Sequence, residues 1–168
     1  MRNAALALAV LALALGPVTA RAADAPKGQT AAPAKAGQIP RADGSLLAGL
    51  GFVDKPIPLG DDGTFKDVMG RVAQDAQRRC GALEAFGWEI KGDDQKRVDG
   101  LTGSLMAALR KAEFKLTPVT SKAVSRDVTL FTADSKARRL LVLMSLSPAT
   151  ARDQMAQLVL LICDTSRN

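Results

Sequence analysis

The sequence predicts an α+β domain. In this two-layer sandwich a mixed or antiparallel sheet of four to five strands carries two helices on one face, in the order α-β-α-β-β-β-β. Three observations point there. Apolar residues recur at three- and four-residue spacing between Phe65 and Leu83, and again between Val98 and Ala112, which is the period of a helix face. From Lys115 onward the pattern shortens to that of strands. Two late runs, Leu140–Met144 and Leu158–Ile162, are apolar without alternation, as strands buried on both faces are.

The chain opens on the three-part pattern of a secretory signal. Arg2 lies in a short n-region, Ala4–Leu15 is an unbroken run of Ala, Leu and Val, Gly16-Pro17 breaks it, and small residues lead to a cleavage point expected after Ala22, with Ala20 or Ala23 as alternatives. The run would make a helix of roughly 18 Å, short of a bilayer core of about 30 Å. No later stretch is long enough to span one, so the expected destination is the periplasm, with secretion to the exterior as the alternative. Residues 23–45 are mostly Ala, Pro, Lys, Gly and Gln with almost no large apolar side chain, and read as a disordered leader. Residues 46–59 join the Gly-interrupted run Leu46–Val53 to Asp54-Lys55-Pro56-Ile57-Pro58-Leu59, where two prolines impose an extended path. This segment is expected to be an irregular apolar arm lying on a single domain, 60–168.

The first helix is expected to be capped by Thr64 with Asp67 as its capping-box partner. Phe65, Val68, Met69, Val72, Ala76, Cys80 and Leu83 form its apolar face, and Gly87 its left-handed terminator. Arg78 and Arg79 suit the dipole near its C-terminal end. Trp88-Glu89-Ile90 is a short strand candidate. The second helix opens at Asp93 or Asp94 and turns Val98, Leu101, Leu105, Ala108, Leu109 and Ala112 inward. Gly100 and Gly103 weaken it by roughly 1 kcal/mol each relative to Ala, which close packing against a neighbour would offset. Strands follow near 115–120, 127–133, 138–146 and 157–165, with a hairpin turn at Asp134-Ser135-Lys136 and a short helical turn after Pro148. Two helices cover one face of such a sheet. The other needs the arm, a second copy of the chain, a partner or a ligand.

Cys80 and Cys163 are the only cysteines. In an exported chain such a pair is expected to form a structural disulfide, with two free buried thiols as the alternative, and neither a Cys-x-x-Cys motif nor a neighbouring His marks a redox pair. The chain has no His and no Tyr. That excludes Ser-His-Asp and Cys-His catalysis, His-ligated zinc or copper, and haem on a proximal His; no cofactor is expected. Asp61-Asp62 and Asp93-Asp94 suit helix caps and turns, since neither sits in the D-x-D-x-D-G spacing of a calcium loop.

Lys122, Arg126, Lys136, Arg138 and Arg139 concentrate around two loops, as a candidate anion-binding patch or a solvated edge. Removing the signal takes Arg2 and Arg21 from the 23 basic residues, leaving 21 against 17 acidic, a net charge of +4. This mild charge with one Trp and five Phe argues against nucleic-acid binding, while weak attraction to anionic envelope surfaces stays within its reach. The function expected is that of a small exported binding or accessory protein without catalytic activity. It would meet a protein partner, or a second copy of itself, through an apolar sheet face, with Leu50, Phe52 and Ile57 of the arm as candidate contacts. The rival readings are a carrier for a lipid or other apolar molecule, and a hydrolase or lyase using two converging carboxylates.

Overall fold

A computed structural model describes residues 39–61, 63–92, 94–147 and 155–166. The signal segment, most of the leader and the helical turn expected after Pro148 lie outside the described residues. In chain order the elements are β1 (Gly44–Ser45), β2 (Leu50–Gly51), β3 (Ile57–Pro58), α1 (Thr64–Asp75), β4 (Leu83–Lys91), α2 (Gln95–Lys111), β5 (Lys115–Pro118), β6 (Thr129–Asp134), β7 (Arg139–Ser147) and β8 (Met155–Asp164).

The sheet is larger than expected. Six strands lie in the order β3-β4-β8-β7-β6-β5, and β1 and β2 form a separate two-stranded ribbon. Every pairing is antiparallel. The sheet gains β3 from the arm, and the short strand expected at Trp88–Ile90 is lengthened into β4. The prolines of the arm lead into β3, a two-residue strand on the sheet edge, where a missing N–H does little harm. The arm is therefore only partly irregular, since β1 and β2 close a ribbon within it, and ordered backbone begins before residue 46.

The added length of β4 comes from the expected C-terminal half of the first helix. Helix α1 ends at Asp75, and by Leu83 the chain is in β4. Leu83 and Ala85 face one side of the sheet while Phe86, Trp88 and Ile90 face the other, so a period of two carries these residues. Gly87 therefore terminates no helix: it sits in β4 opposite Ile57, and a Cβ there would meet the Leu59 side chain at 3.2 Å. Gln77 stops α1 instead, at φ 54. Its N–H donates to Gln74 and that of Arg78 to Ala73, at 2.9 and 2.7 Å; this is the paired-bond ending usually built on Gly. Helix α2 ends the same way on Glu113, at φ 62.

The helix starts also differ in detail. Thr64 is the first helical residue of α1, behind Gly63 at φ 104, and Asp61 supplies the acceptor, taking the N–H of Phe65 at 3.0 Å. Asp94 caps α2, accepting from the Arg97 N–H at 3.0 Å.

The two helices do not share a face. Helix α2 packs with the arm on Phe86, Trp88, Val142, Met144, Leu160 and Ile162, and α1 packs with the 119–128 loop on Ala85, Leu141, Leu143, Leu161 and Cys163. The runs in β7 and β8 show why. Both their faces are apolar, and a helix about 10 Å wide spans about two strands at 4.8 Å spacing. One helix per side, widened by an arm on one and a loop on the other, buries both faces. The chain covers the sheet itself, and the second face that seemed to call for a dimer or partner is occupied.

Candidate functional site

The disulfide joins Cys80 to Cys163, with Cα atoms 5.6 Å apart and the two residues 83 positions apart in sequence. Cys80 lies past the end of α1, in the stretch where Gly81 and Ala82 already exchange backbone hydrogen bonds with Asp164. Arg78, expected to serve the dipole at the C-terminal end of the first helix, lies past that end and turns inward. Its guanidinium grips Asp134 with two bonds of 2.8 and 2.6 Å and reaches Thr165 Oγ1 at 3.2 Å. These contacts fasten the segment after α1 to the ends of β6 and β8.

The arm is held as tightly. Glu84, on β4, accepts hydrogen bonds from the Ser45 hydroxyl and from the N–H groups of Leu46 and Leu47, the Leu46 bond at 2.9 Å. Arg138 donates to the carbonyls of the same two leucines at 3.1 and 2.8 Å. The turn between β1 and β2 is thus gripped by a carboxylate on its donors and a guanidinium on its acceptors. Gly49 is needed beside them: its φ is +65°, and a Cβ would come within 2.7 Å of the Arg138 guanidinium. Further along, Phe52 sits edge-on to Phe86 and Trp88, with ring centroids 4.9 and 5.7 Å away. The Trp88 indole N–H donates to the Asp54 carbonyl at 2.8 Å, and Asp54 pairs with Arg97 of α2 at 3.0 Å.

Between this arm and α2 runs a groove of about 310 Å³. Leu50, Phe52 and Val53 form one wall, Leu101, Leu105 and Ala108 the other, and Trp88 lies between them. Its polar contributions are few: the Asp54–Arg97 pair at one end and Ser104 on the helix. Val53, 99% exposed, stands on the lip. Two of the arm residues singled out from sequence, Leu50 and Phe52, line the groove, while Ile57 is held in β3 opposite Gly87. The helix residues of the groove were read from sequence as core or as weak points. Among the described residues Gly100 has no close neighbour, for a Cβ there would meet nothing within 4 Å, and the close packing expected of it is not found among them.

The basic concentration is divided. Lys122 and Arg126 lie in the loop before β6, and Lys136, Arg138 and Arg139 at its far end, a six-residue strand away. Arg138 is engaged with the arm, and Arg139 lies 3.9 Å from Asp134. The carboxylates too hold structure together. Asp61 and Asp94 bind helix N-termini, Asp54 and Asp134 pair with arginines, Glu84 holds the arm, and Asp75 accepts from the Ser121 hydroxyl at 2.6 Å and the Lys122 N–H at 3.0 Å. Those two bonds, the hydroxyl first, hold the Asp75 carboxyl below its ordinary value. Among the described residues no helix is long and apolar enough to cross a membrane.

No protein-family model matches the chain, and no curated protein and no solved structure shows similarity to it.

Proposed function

We propose that this chain is a small exported binding protein without catalytic activity, and that it captures apolar side chains of a protein partner in the groove between the arm and α2. The groove carries the reading. It is apolar along its length, framed by aromatic rings, and open on the side where Val53 stands exposed. Its volume lies at the lower end of the range for ligand pockets, which suits a few inserted side chains. Rigidity favours it as well, since Glu84, Arg138, Trp88 and Arg97 hold the arm before any partner arrives, and a preformed site loses less entropy on binding. Export is supported by the signal pattern of residues 1–22 and by a disulfide of the kind that persists in oxidising compartments. The periplasm is the proposed destination.

Selection from a displayed library of random peptides against the mature chain tests this. Binders are expected to share apolar anchor residues, to compete for one site, and to be lost with Leu101→Lys. A selection that yields no binder, or binders indifferent to Leu101→Lys, would refute it. The near-absence of polar wall also favours a second reading, a carrier for a small apolar molecule. Native mass spectrometry of protein taken from its host separates the two: a bound lipid-sized mass supports the carrier, a bare chain the partner-binding protein.

A further inference from the structure

The two edges of the six-stranded sheet are finished differently. Strand β5 is four residues long and ends on Pro118. The Val119 N–H donates to the Leu130 carbonyl of β6, so by the alternation of an antiparallel pair Thr117 and Lys115 also turn their backbone groups inward. Leu116 alone of the β5 residues turns an N–H outward, and so short an edge, closed by proline, is guarded against another strand.

At the opposite edge β4 pairs with β8 from Leu83 to Lys91, whereas β3 reaches only Phe86 and Gly87. The Leu59 N–H donates to the Ala85 carbonyl, and the Asp164 N–H to the Ala82 carbonyl. These two bonds fix the alternation. Even-numbered residues of β4 bond to β8, while Ala85, Gly87, Glu89 and Lys91 turn N–H and C=O to the β3 side. Beyond Gly87 no backbone among the described residues pairs with that side. The arm has left the ladder at Pro56, whose carbonyl accepts from Ala42 at 2.8 Å, and Gly92, at φ 61, turns the chain away after Lys91. Glu89, Ile90 and Lys91 thus form an open window in the edge.

The window is complementary to itself. Glu89 and Lys91 are exposed, and neither is in an ion pair among the described residues. A second β4 laid antiparallel about a two-fold axis at Ile90 sets Glu89 of each copy opposite Lys91 of the other. The backbone fits the same register. Both residues of each such pair turn N–H and C=O to the edge, so they form hydrogen-bonded pairs, with Ile90 facing its own copy between them. Moving the axis to Glu89 or to Lys91 would set like charges opposite each other, which is unfavourable. Around the window Asp43, Asp54, Asp93, Asp94 and Asp99 stand against Arg41, Lys55, Lys96 and Arg97, so the surrounding charges nearly cancel and do not keep two copies apart.

We propose that the chain associates with a second copy through this window, joining two six-stranded sheets edge to edge. The contact is separate from the groove and stands or falls without it. Three residues a side bury little surface, so the dimer is weak and builds up with concentration.

Sedimentation of the mature chain at low salt is expected to show a dimer growing in between about 10 µM and 1 mM. Glu89→Lys and Lys91→Glu each place like charges across both pairs and should weaken association about tenfold or more, less so as salt screens them. Mixed in equal amounts, the two variants regain opposite charges and should associate with each other. A chain carrying both substitutions should dimerise as the parent does. All these changes are at exposed positions, and circular dichroism is expected to stay unchanged. If one single variant loses its fold, the doubly substituted chain and the other variant still decide. No dimer up to about 1 mM, a dimer indifferent to the single substitutions, or a doubly substituted chain that stays monomeric overturns the proposal. So does a dimer that Leu101→Lys abolishes and the charge exchanges leave alone, since it lies in the groove.

Discussion

Gln77 and Glu113 each sit in the left-handed region, at φ 54 and 62, where a side chain is strained and glycine is not. Both end a helix by the same pair of backbone bonds, and in both the following residue turns inward, as Arg78 toward Asp134 and as buried Phe114. Replacing either by Gly keeps those bonds and relieves the strain. Gln77→Gly and Glu113→Gly are each expected to raise stability by about 0.5–1 kcal/mol in urea denaturation; a loss of stability in both would show that the side chains themselves matter. These endings escaped a reading that looked for Gly, because left-handed residues of other types leave no mark in composition. Glu84 escaped for a similar reason. A single carboxylate in an apolar stretch reads as a solvent-facing residue, and only the folded chain brings Ser45, Leu46 and Leu47 to it.

At the scale of elements, period decides where each segment lies, and the segment from Cys80 to Trp88 carries two periods at once. Leu83 continues the three-and-four spacing of α1, yet Phe86, Trp88 and Ile90 alternate. Pairing with β8 settles the conflict in favour of the strand, since nine residues of β4 find partners there. The 119–128 loop is the other element without a sequence signature. Val119, Ala123, Val124 and Val128 pack on the α1 side of the sheet, and Asp75 at the end of α1 ties the loop down through Ser121 and Lys122. Because these bonds favour the charged carboxyl, their contribution is fully present above the ordinary carboxylate value and disappears as pH falls through the lowered one. Hydrogen-exchange protection of the Lys122 and Ala123 amides is expected to fall in acid below about pH 4, and Asp75→Asn should remove that step. A step that survives in Asp75→Asn belongs to another group.

For the molecule as a whole, the disulfide links residues 83 positions apart in sequence and joins the segment after α1 to the strand beside β4. The chain-entropy model assigns such a closure about 4.5 kcal/mol, a large part of the 5–15 kcal/mol typical of a small domain. Reduction, or Cys80→Ser with Cys163→Ser, is expected to lower the urea midpoint sharply while leaving the folded far-ultraviolet spectrum intact at low temperature. An unchanged midpoint would mean that the Arg78–Asp134 contacts alone hold this corner together. The same corner shows how sheet and helices share the work, for Arg78, Asp134, and Cys163 with Thr165 come from three separate stretches of chain.

Composition and periodicity alone determined the α+β class, both helices, the four C-terminal strand segments and the pairing of the two cysteines. Each depends on local spacing or on there being no other choice. The tertiary structure decided which side each helix covers, how much of the arm is strand, and where the groove lies. Those outcomes depend on contacts between residues far apart in the chain. Phe52 meets Trp88, Glu84 meets Ser45, and Arg138 meets Leu47, and in each case the partner is chosen by where the sheet carries it rather than by its neighbours in sequence.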